Sequence, residues 1–382
     1  MTDRTDPAIR VDESEPASAT EAGGTEPAVS CRAVTIGYGT TTVVADLDLD
    51  VRRGEMLALL GPSGCGKTTI LSALAGFLPI QSGEIRIGGR VVADGRHRVA
   101  PERRDVGVVF QGYALWPHLD ALETVAYPIR RRGVGAAESR RLAAAILERL
   151  GIAQLGHRRP AELSGGEQQR VGLGRALARE ASVYLFDEPT AHLDATLRDR
   201  LQLEIADQRR RSGAAAVYAT HDTAEALAIA DRVTLLREGR LVQEGTPTTV
   251  YERPIDLWAA RLTGLASIVD LRIADAGSGR VRVEVAGLPQ TAAIATAHHV
   301  PDGKTRAIVR PDWVRLGGTI PGQIETVAFR GAFTDYRLAS PVGTIDLRAG
   351  GPPTAAPGAP VGWSLDRAWI PADLLDADAR TS

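Results

Sequence analysis

Short apolar runs alternate with amphipathic stretches from about Val34 onward, and this pattern predicts an α/β fold. Three runs, "MLALLG" (56–61), "SVYLFDEP" (182–189) and "AAAVYATHD" (214–222), are apolar over most of their length and end in Gly or polar residues. Strands buried on both faces of a parallel sheet have this composition. The segment "TTILSALAGF" begins a helix directly after the first run. We therefore predict a largely parallel sheet flanked by helices.

A helical period is clearest in "ESRRLAAAILERLG" (138–151). Leu142, Ile146 and Leu150 recur every four residues, so they share one face of the predicted helix. Gly151 follows the last of them and is the expected stop, because glycine adopts the left-handed conformation that ends helices.

The period changes to two after about Leu265, where helical segments nearly disappear and Gly and Pro punctuate the chain. In "RVRVEV" (280–285) the alternation turns Val281, Val283 and Val285 to one side. The pattern continues in "TRAIVRP", "QIETVAF", "YRLAS" and "TIDLRAG". We predict a separate, small, barrel-like β domain in this part of the chain.

Composition bounds the classes of protein that remain. The 382 residues suffice for two domains, and 44% hydrophobic and 24% charged residues are typical of a soluble globular protein. The net charge of −2 gives no electrostatic reason to expect nucleic acid as a partner. Cys31 and Cys65 are the only cysteines, which favours a reducing compartment. We find no apolar run long enough to span a membrane and no signal-peptide pattern.

Residues 1–29 are rich in Asp, Glu, Ala, Thr and Pro and poor in large apolar residues. Such a segment buries too little surface to offset its ordering entropy, so we predict a disordered tail.

The stretch "GPSGCGKTT" satisfies the pattern of a phosphate-binding loop between a strand and a helix. Its backbone N–H groups and the helix N-terminus would face phosphate oxygens. Lys67 would reach the β- and γ-phosphates, and the Thr68 hydroxyl would ligate Mg²⁺. The predicted nucleotide-binding residues of this loop are Gly61, Pro62, Ser63, Gly64, Cys65, Gly66, Lys67, Thr68 and Thr69.

A second element follows the apolar run "VYLFD" (183–187). Asp187 ends the predicted strand, where its carboxylate would support Mg²⁺, and Glu188 is placed to act as a general base on the attacking water. An acidic pair after an apolar run also occurs as a helix cap, so this assignment depends on the phosphate-binding loop.

The segment "LSGGEQQR" (163–170) places Ser164, Gly165 and Gly166 directly before a helical run. A Ser-Gly-Gly helix start is either an ordinary cap or a second phosphate-binding device. One nucleotide cannot easily use two such devices from one fold, so the second alternative suggests that two chains share each ATP.

The segment "LSGGEQQR", with the phosphate-binding loop before it and "VYLFDEP" after it, resembles the ATP-binding-cassette (ABC) family over roughly Val34 to Leu265. The resemblance implies that Gln111, in "VVFQGYALWPHL", senses Mg²⁺ and water and contacts the membrane partner. His221, in "YATHD", matches the switch histidine that contacts the γ-phosphate. Tyr38, in "IGYG", matches the aromatic residue that stacks on adenine. Asp194 in "AHLDA" matches the acidic position of the D-loop, although His192 stands where the family usually has a small residue.

The resemblance implies a P-loop NTPase fold with a mixed sheet and a helical subdomain. We predict an ATP-binding cassette at 30–267, its helical subdomain at about 112–180, and an OB-like β domain at 268–382. In the family, two cassettes dimerise head to tail, so that Ser164 and Gly166 of one copy complete the site built around Lys67 of the other. ATP and Mg²⁺ are the implied cofactors.

The same resemblance implies separate permease subunits as direct partners, an extracytoplasmic solute-binding protein as an indirect one, and a peripheral location on the cytoplasmic face of the inner membrane. No nucleic acid is expected. The predicted groove for the permease follows Gln111 and contains Tyr113, Leu115, Trp116 and Pro117.

The C-terminal segments "AIVRPDWVRLG" and "GWSLDRAWIP" resemble the transport-associated OB-type domain of importer ATPases. "ALWPH" followed by "ETVAYPIR" is most similar to the ferric-iron, polyamine and phosphonate group. The function that we predict is therefore ATP hydrolysis that powers solute uptake. The alternatives are an exporter ATPase and a soluble ABC protein acting on nucleic acid or ribosomes. A small-molecule kinase or GTPase would leave "LSGGEQQR" unexplained.

Overall fold

The structure is a computed structural model that describes residues 26–110, 112–191, 193–275, 281–296, 303–372 and 374. Two compact units divide the chain, Gly23–Pro247 and Thr248–Ser382. The division falls before the predicted boundary at 267/268, because two helices that sequence reasoning assigned to the cassette belong to the second unit. The predicted tail 1–29 lies outside the described residues except at its end, and there the prediction is wrong. Ala28 and Val29 are buried, since the first strand begins at Val29 and is paired on both sides.

Ten strands lie in the described part of the first unit. They are β1 (Val29–Tyr38), β2 (Thr41–Val51), β3 (Met56–Leu60), β4 (Ile80–Ile87), β5 (Arg90–Asp94), β6 (Val106–Val109), β7 (Val183–Asp187), β8 (Ala215–Thr220), β9 (Arg232–Arg237) and β10 (Arg240–Gly245). A six-stranded sheet has the order β10-β9-β3-β8-β7-β6 and is parallel except for the edge strand β10. A four-stranded sheet of order β2-β1-β4-β5 is antiparallel. This mixture confirms the predicted α/β class.

Six helices accompany these strands: α1 (Lys67–Ala75), α2 (Ala121–Arg131), α3 (Ala136–Arg149), α4 (Gly165–Leu177), α5 (Ala195–Ser212) and α6 (Thr223–Ile229). Short 3₁₀ turns lie at Pro101–Arg103, Ala153–Leu155 and Pro160–Glu162. Among the described residues of this unit, no helix is long and apolar enough to cross a membrane, and the same holds for the rest of the described chain.

The three strands that the apolar runs predicted, β3, β7 and β8, are buried along their whole length at the centre of the large sheet. Their carboxyl ends therefore reach the same edge of the sheet, and this edge carries the candidate site. The predicted stop of α3 is confirmed, because Gly151 follows the helix with a φ of 68°. The predicted face is confirmed only in part: Leu150 is buried together with Ala143 and Leu147, while Leu142 and Ile146 pack at the margin of the core.

A buried arginine holds the C-terminal end of α1. Arg104 is 1% exposed, and its Nη1 donates to the carbonyl oxygens of Ala73 (2.7 Å) and Leu74 (2.8 Å). Both carbonyls belong to the last turn of the helix, where a cation also complements the helix dipole. Burial lowers the pKa of this guanidinium to about 10. The helix that follows the glycine-rich loop is thus anchored at the end away from the loop.

The second unit contains the helices α7 (Pro247–Glu252), at whose first residue the division falls, and α8 (Leu257–Thr263), followed by a 3₁₀ turn at Pro311–Trp313 and nine strands. The strands are β11 (Ser267–Asp275), β12 (Val281–Val285), β13 (Leu288–Thr296), β14 (Gly303–Val309), β15 (Val314–Phe329), β16 (Phe333–Ser340), β17 (Gly343–Gly350), β18 (Pro360–Leu365) and β19 (Arg367–Ile370). A closed barrel of order β11-β12-β13-β19-β14 adjoins a sheet of order β17-β16-β15-β18. Val281, Val283 and Val285 all face the core, as the alternation predicted.

Arg310 joins α7 and α8 to this β domain. It is fully buried, and its guanidinium donates to the carbonyl oxygens of Tyr251, Ala260 and Leu265 and to the Thr263 hydroxyl, at 2.6 to 3.2 Å. The ring of Tyr251 lies 4.2 Å from the guanidinium carbon. This cluster explains why the two helices belong to the C-terminal unit.

Replacing Arg310 with Met should destabilise the C-terminal unit by about 3 kcal/mol or more, because several buried acceptors would lose their donor together. The melting of the full chain, followed by calorimetry, measures this change. Lys304→Met, an exposed substitution on β14, is the matched control. Equal melting of the two variants would contradict the role of Arg310.

Candidate active site

The glycine-rich loop connects β3 to α1 at the carboxyl edge of the large sheet. Gly64 and Gly66 have φ values of 81° and 110°, a region that favours glycine. A Cβ at Gly66 would also lie 2.7 Å from a methyl group of Val44. Lys67 is 6% exposed, and its Nζ donates to the carbonyl oxygens of Gly61 (2.7 Å) and Pro62 (3.1 Å). The loop therefore surrounds a buried ammonium group.

Thr68, at the start of α1, meets the end of β7. Its hydroxyl donates to Asp187 Oδ1 at 3.1 Å. Asp187 is 4% exposed, and burial raises the pKa of its carboxyl group, while the bond from Thr68 opposes this shift. Two oxygen-bearing side chains that were predicted to share a cation thus lie together, and one of them is a carboxylate removed from water.

Glu188 and His221 follow β7 and β8, two neighbouring strands. Glu188 Oε1 and His221 Nδ1 are 2.8 Å apart. The backbone of Glu188 has a φ of 48°, and its N–H donates to the Ala219 carbonyl oxygen at 3.0 Å. A left-handed conformation is uncommon for a residue other than glycine. The turn directs the carboxylate toward the histidine, whose side chain is more than half exposed.

A cleft of about 580 Å³ opens at this edge of the sheet. It brings together eight predicted residues: Ser63, Gly64, Gly66, Lys67, Thr68, Thr69, Glu188 and His221. The carbonyl oxygens of Gly61 and Pro62 accept hydrogen bonds from Lys67. Cys65, which belongs to the same loop, is buried.

Ser164, Gly165 and Gly166 are not among the described residues that line this cleft. Ser164 caps α4, and its N–H and hydroxyl both donate to Glu167 Oε2, at 2.8 and 2.9 Å. The same chain therefore does not bring its two phosphate-binding devices to one cavity.

Four further predicted residues lie apart from the cleft or outside the description. Tyr38 ends β1 with 57% of its surface exposed. Asp194 caps α5, accepting a bond from the Leu197 N–H at 3.0 Å. Gln111 and His192 lie outside the described residues, so their predicted positions stay predictions.

Sequence reasoning missed several residues that line the cleft, among them Thr190, Arg198, Thr220, Asp222 and Glu225. Thr220 directly precedes the predicted histidine, and Asp222 and Glu225 follow it. Polar residues this close to the end of the predicted strand β8 could have indicated that these side chains line the site.

Gln169 connects α4 to the segment after Glu188. It is 2% exposed, and its Nε2 donates to the Pro189 carbonyl oxygen at 2.5 Å. A hydrogen bond from this buried amide thus connects α4 to the backbone that follows Asp187 and Glu188.

Taken together, the cleft offers a glycine-rich loop with a buried ammonium, a hydroxyl beside a buried carboxylate, and a carboxylate paired with a histidine. These are the groups that bind a nucleoside triphosphate and orient a water molecule for attack on its terminal phosphate. Residues 44–191 match the family described as "ABC transporter", and residues 307–370 match the "TOBE domain". The chain belongs to the ABC transporter family. It is an ATP-binding and ATP-hydrolysing cassette of the importer type, followed by an all-β TOBE domain.

Two named relatives make the similarity more specific. "Fe(3+) ions import ATP-binding protein FbpC" of Agrobacterium fabrum is 39% identical over 312 residues, 81% of this chain and 86% of that protein. "Spermidine/putrescine import ATP-binding protein PotA" of Thermobifida fusca is 39% identical over 332 residues, 84% of this chain and 85% of that protein. Both relatives are import proteins, as the main prediction expected, rather than members of the alternative classes.

Two solved structures share the fold of the cassette. A "dimeric structure of a post-hydrolysis state of the ATP-binding cassette MJ0796 bound to ADP and Pi" has a TM-score of 0.54 and 28% identity, covering 57% of this chain and 98% of that one. The cbiO1 protein from Clostridium perfringens, "part of the ABC transporter complex cbiONQ", has a TM-score of 0.52 and 25% identity, covering 59% and 91%.

Proposed function

We propose that this ATPase powers the uptake of ferric iron or a polyamine, and that Lys67, Glu188 and His221 perform its chemistry. The 2.8 Å contact between Glu188 and His221 in the cleft of the phosphate-binding loop carries the chemical part of the proposal, and the two import relatives support the cargo. Lys67 now donates to carbonyl oxygens of its own loop. With ATP bound, the same ammonium would donate to β- and γ-phosphate oxygens, which are stronger acceptors.

Thr68 and Asp187 would hold Mg²⁺. Both offer oxygen atoms, the ligand type that Mg²⁺ prefers, and their 3.1 Å contact places them on one side of the loop. Burial raises the pKa of the Asp187 carboxyl group, and a bound cation would oppose this shift by stabilising the ionised form. When bound, Mg²⁺ would neutralise charge on the phosphates. Gln111 is also proposed as a ligand, from the family resemblance alone.

Glu188 is the proposed general base. It would take a proton from the attacking water as the water oxygen bonds to the γ-phosphorus and the bond to the β–γ bridging oxygen breaks, leaving ADP and phosphate. His221 Nδ1 would fix the direction of this carboxylate, while the imidazole edge faces the γ-phosphate.

Two copies of the chain would share each ATP. Ser164, Gly165 and Gly166 start a helix away from the cleft of their own chain, which supports the head-to-tail dimer that the resemblance implies. A helix N-terminus next to the γ-phosphate of the partner copy would use its free N–H groups. Tyr38 would stack on adenine, and Asp194 would approach the partner copy from the cap of α5.

Permease subunits would bind at the segment 112–117. Tyr113 and Ala114 are both left-handed, with φ values of 58° and 46°. Arg175 of α4 donates to both of their carbonyl oxygens, and its guanidinium carbon lies 5.3 Å from the centre of the Trp116 ring. A surface held in this way could transmit permease movements to the helix that begins at Ser164. The protein would then sit on the cytoplasmic face of the membrane as a peripheral subunit.

The Trp116 ring packs 4.9 Å from that of Tyr127 and is only half-buried. Trp116→Ala should therefore reduce solute uptake at least about fivefold, as for an aromatic anchor in an interface, while the basal ATPase rate changes less than about twofold. Uptake in cells and hydrolysis by the purified protein measure these two effects. Phe329→Ala removes an exposed aromatic residue from β15 and is the control. A parallel fall of uptake and basal hydrolysis would contradict the docking role.

Ferric iron and polyamine stand as the two cargoes because the named relatives import them. The resemblance also included phosphonate, which neither of these two relatives names. Uptake of radiolabelled ferric iron and of radiolabelled spermidine, in cells with and without this gene, tests the proposal. Loss of one uptake activity identifies the cargo, and normal uptake of both would contradict it.

A further inference from the structure

Glu225 lies on α6 in the lining of the cleft, and it is a buried carboxylate that the mechanism above does not use. It is 6% exposed. Thr220 Oγ1 donates to its Oε2 at 2.6 Å, and Gln202 Nε2 donates to its Oε1 at 3.1 Å. The hydroxyls of Thr190 and Tyr218 also donate to Oε1. All four donors are neutral groups, so the site is a carboxylate held by hydrogen bonds.

Two of these donors, Thr190 and Thr220, lie close in the chain to the proposed catalytic pair, after β7 and at the end of β8. Thr190 is two residues after Glu188, and Thr220 directly precedes His221. Gln202 adds the helix that begins after Asp194. A single carboxylate therefore joins the end of β7, the end of β8 and α5.

The network is buried, whereas His221 of the catalytic pair is exposed. Thr190, Tyr218 and Thr220 are each at most 2% exposed, whereas the His221 side chain is 57% exposed. Burial and the neighbouring Glu225 raise the pKa of Tyr218 well above its usual value, so its hydroxyl remains a donor. The 2.8 Å contact between Glu188 and His221 thus adjoins a buried hydrogen-bond network.

We propose that Glu225 is a positioning residue for ATP hydrolysis, which sets the separation of Glu188 and His221 by bridging Thr190 and Thr220. The inference rests on the proposed roles of Glu188 and His221. Glu225 touches neither the phosphate-binding loop nor Lys67 in its hydrogen bonds, so it acts on the hydrolytic step and leaves nucleotide binding to the loop.

The first test is Glu225→Gln in the full-length protein. The amide keeps the shape of the side chain but replaces one acceptor with a donor, which opposes the hydroxyl and amide donors around it. We expect kcat for ATP to fall at least about tenfold, with KM changed less than about twofold, as for an interaction that matters in the transition state. Glu148→Gln makes the same chemical change on the exposed face of α3 and should leave kcat and KM unchanged.

A merely structural role would give a different pattern. If Glu225→Gln lowers the melting temperature while kcat is unchanged, or moves kcat and KM together with the melting temperature, the proposal is wrong. Wild-type kinetics in Glu225→Gln would also overturn it. A lack of ATPase activity in the unsubstituted protein would instead contradict the proposed function.

A double-mutant cycle tests the bridge itself and does not require Glu225 variants to fold well. Thr190→Val and Thr220→Val each remove one hydroxyl at nearly constant volume. If one carboxylate couples the two loops, their combined effect on kcat will differ from the product of the single effects by at least about threefold. Restoring one residue should then rescue only part of the rate. Independent, multiplicative effects on kcat would overturn the bridging role.

Discussion

Glu188→Gln should lower kcat for ATP hydrolysis by about 10²-fold or more, the usual contribution of a positioned general base. The amide keeps the size and hydrogen-bonding reach of the side chain but cannot take the proton from water. The neighbouring loop with Lys67 is untouched, so the affinity for ATP should change less than about threefold. Hydrolysis measured by phosphate release and binding measured with a fluorescent ATP analogue give the two values.

The interpretation of this variant depends on its contact with His221. His221→Ala should also reduce kcat, because it removes the group 2.8 Å from the Glu188 carboxylate. Glu148→Gln, on the surface of α3, serves as the control for the carboxylate-to-amide change. Hydrolysis by Glu188→Gln at the wild-type rate would show that another group accepts the proton.

Lys67→Ala should reduce the affinity for ATP at least about thirtyfold, since a charge-assisted contact to phosphate contributes about 2 kcal/mol or more. The ammonium is buried within the loop and cannot be replaced there by water without rearrangement. Titration calorimetry with ATP measures the change in dissociation constant.

Lys304→Ala removes an exposed lysine from β14 and is the matched control. Circular dichroism of both variants would show whether α1 has kept its structure, which the anchoring of its other end by Arg104 leads us to expect. An unchanged affinity for ATP in a folded Lys67→Ala protein would show that Lys67 does not contribute to phosphate binding.

Features that depend on local pattern could be predicted from the sequence. The strands β3, β7 and β8 are short apolar runs, and the alternation in 280–285 shows directly which valines face inward. The order of the glycine-rich loop, "LSGGEQQR" and the Asp187–Glu188 pair indicates the family, because each segment carries its chemistry within a few residues. The fold class and the phosphate-binding loop were therefore accessible.

Features that depend on distant partners could not be predicted in this way. Thr190, Tyr218 and Glu225 meet only because β7, β8 and α6 are neighbours in space, and no local pattern marks that contact. The boundary at 247/248 was missed for the same reason. Arg310 donates to carbonyl oxygens of α7 and α8, which precede it by about fifty residues. The composition change near Leu265 therefore did not mark the boundary between the two units.

The central claim is that two copies of this chain close on ATP, each completing the other's site. Size-exclusion chromatography of purified Glu188→Gln, with and without ATP and Mg²⁺, tests it most directly. We predict a dimer that forms only when ATP is present and that is lost when Ser164→Arg is added, because the bulk of the new side chain would block the helix start that we propose faces the partner's phosphates. A protein that binds ATP but remains a monomer would contradict the shared site.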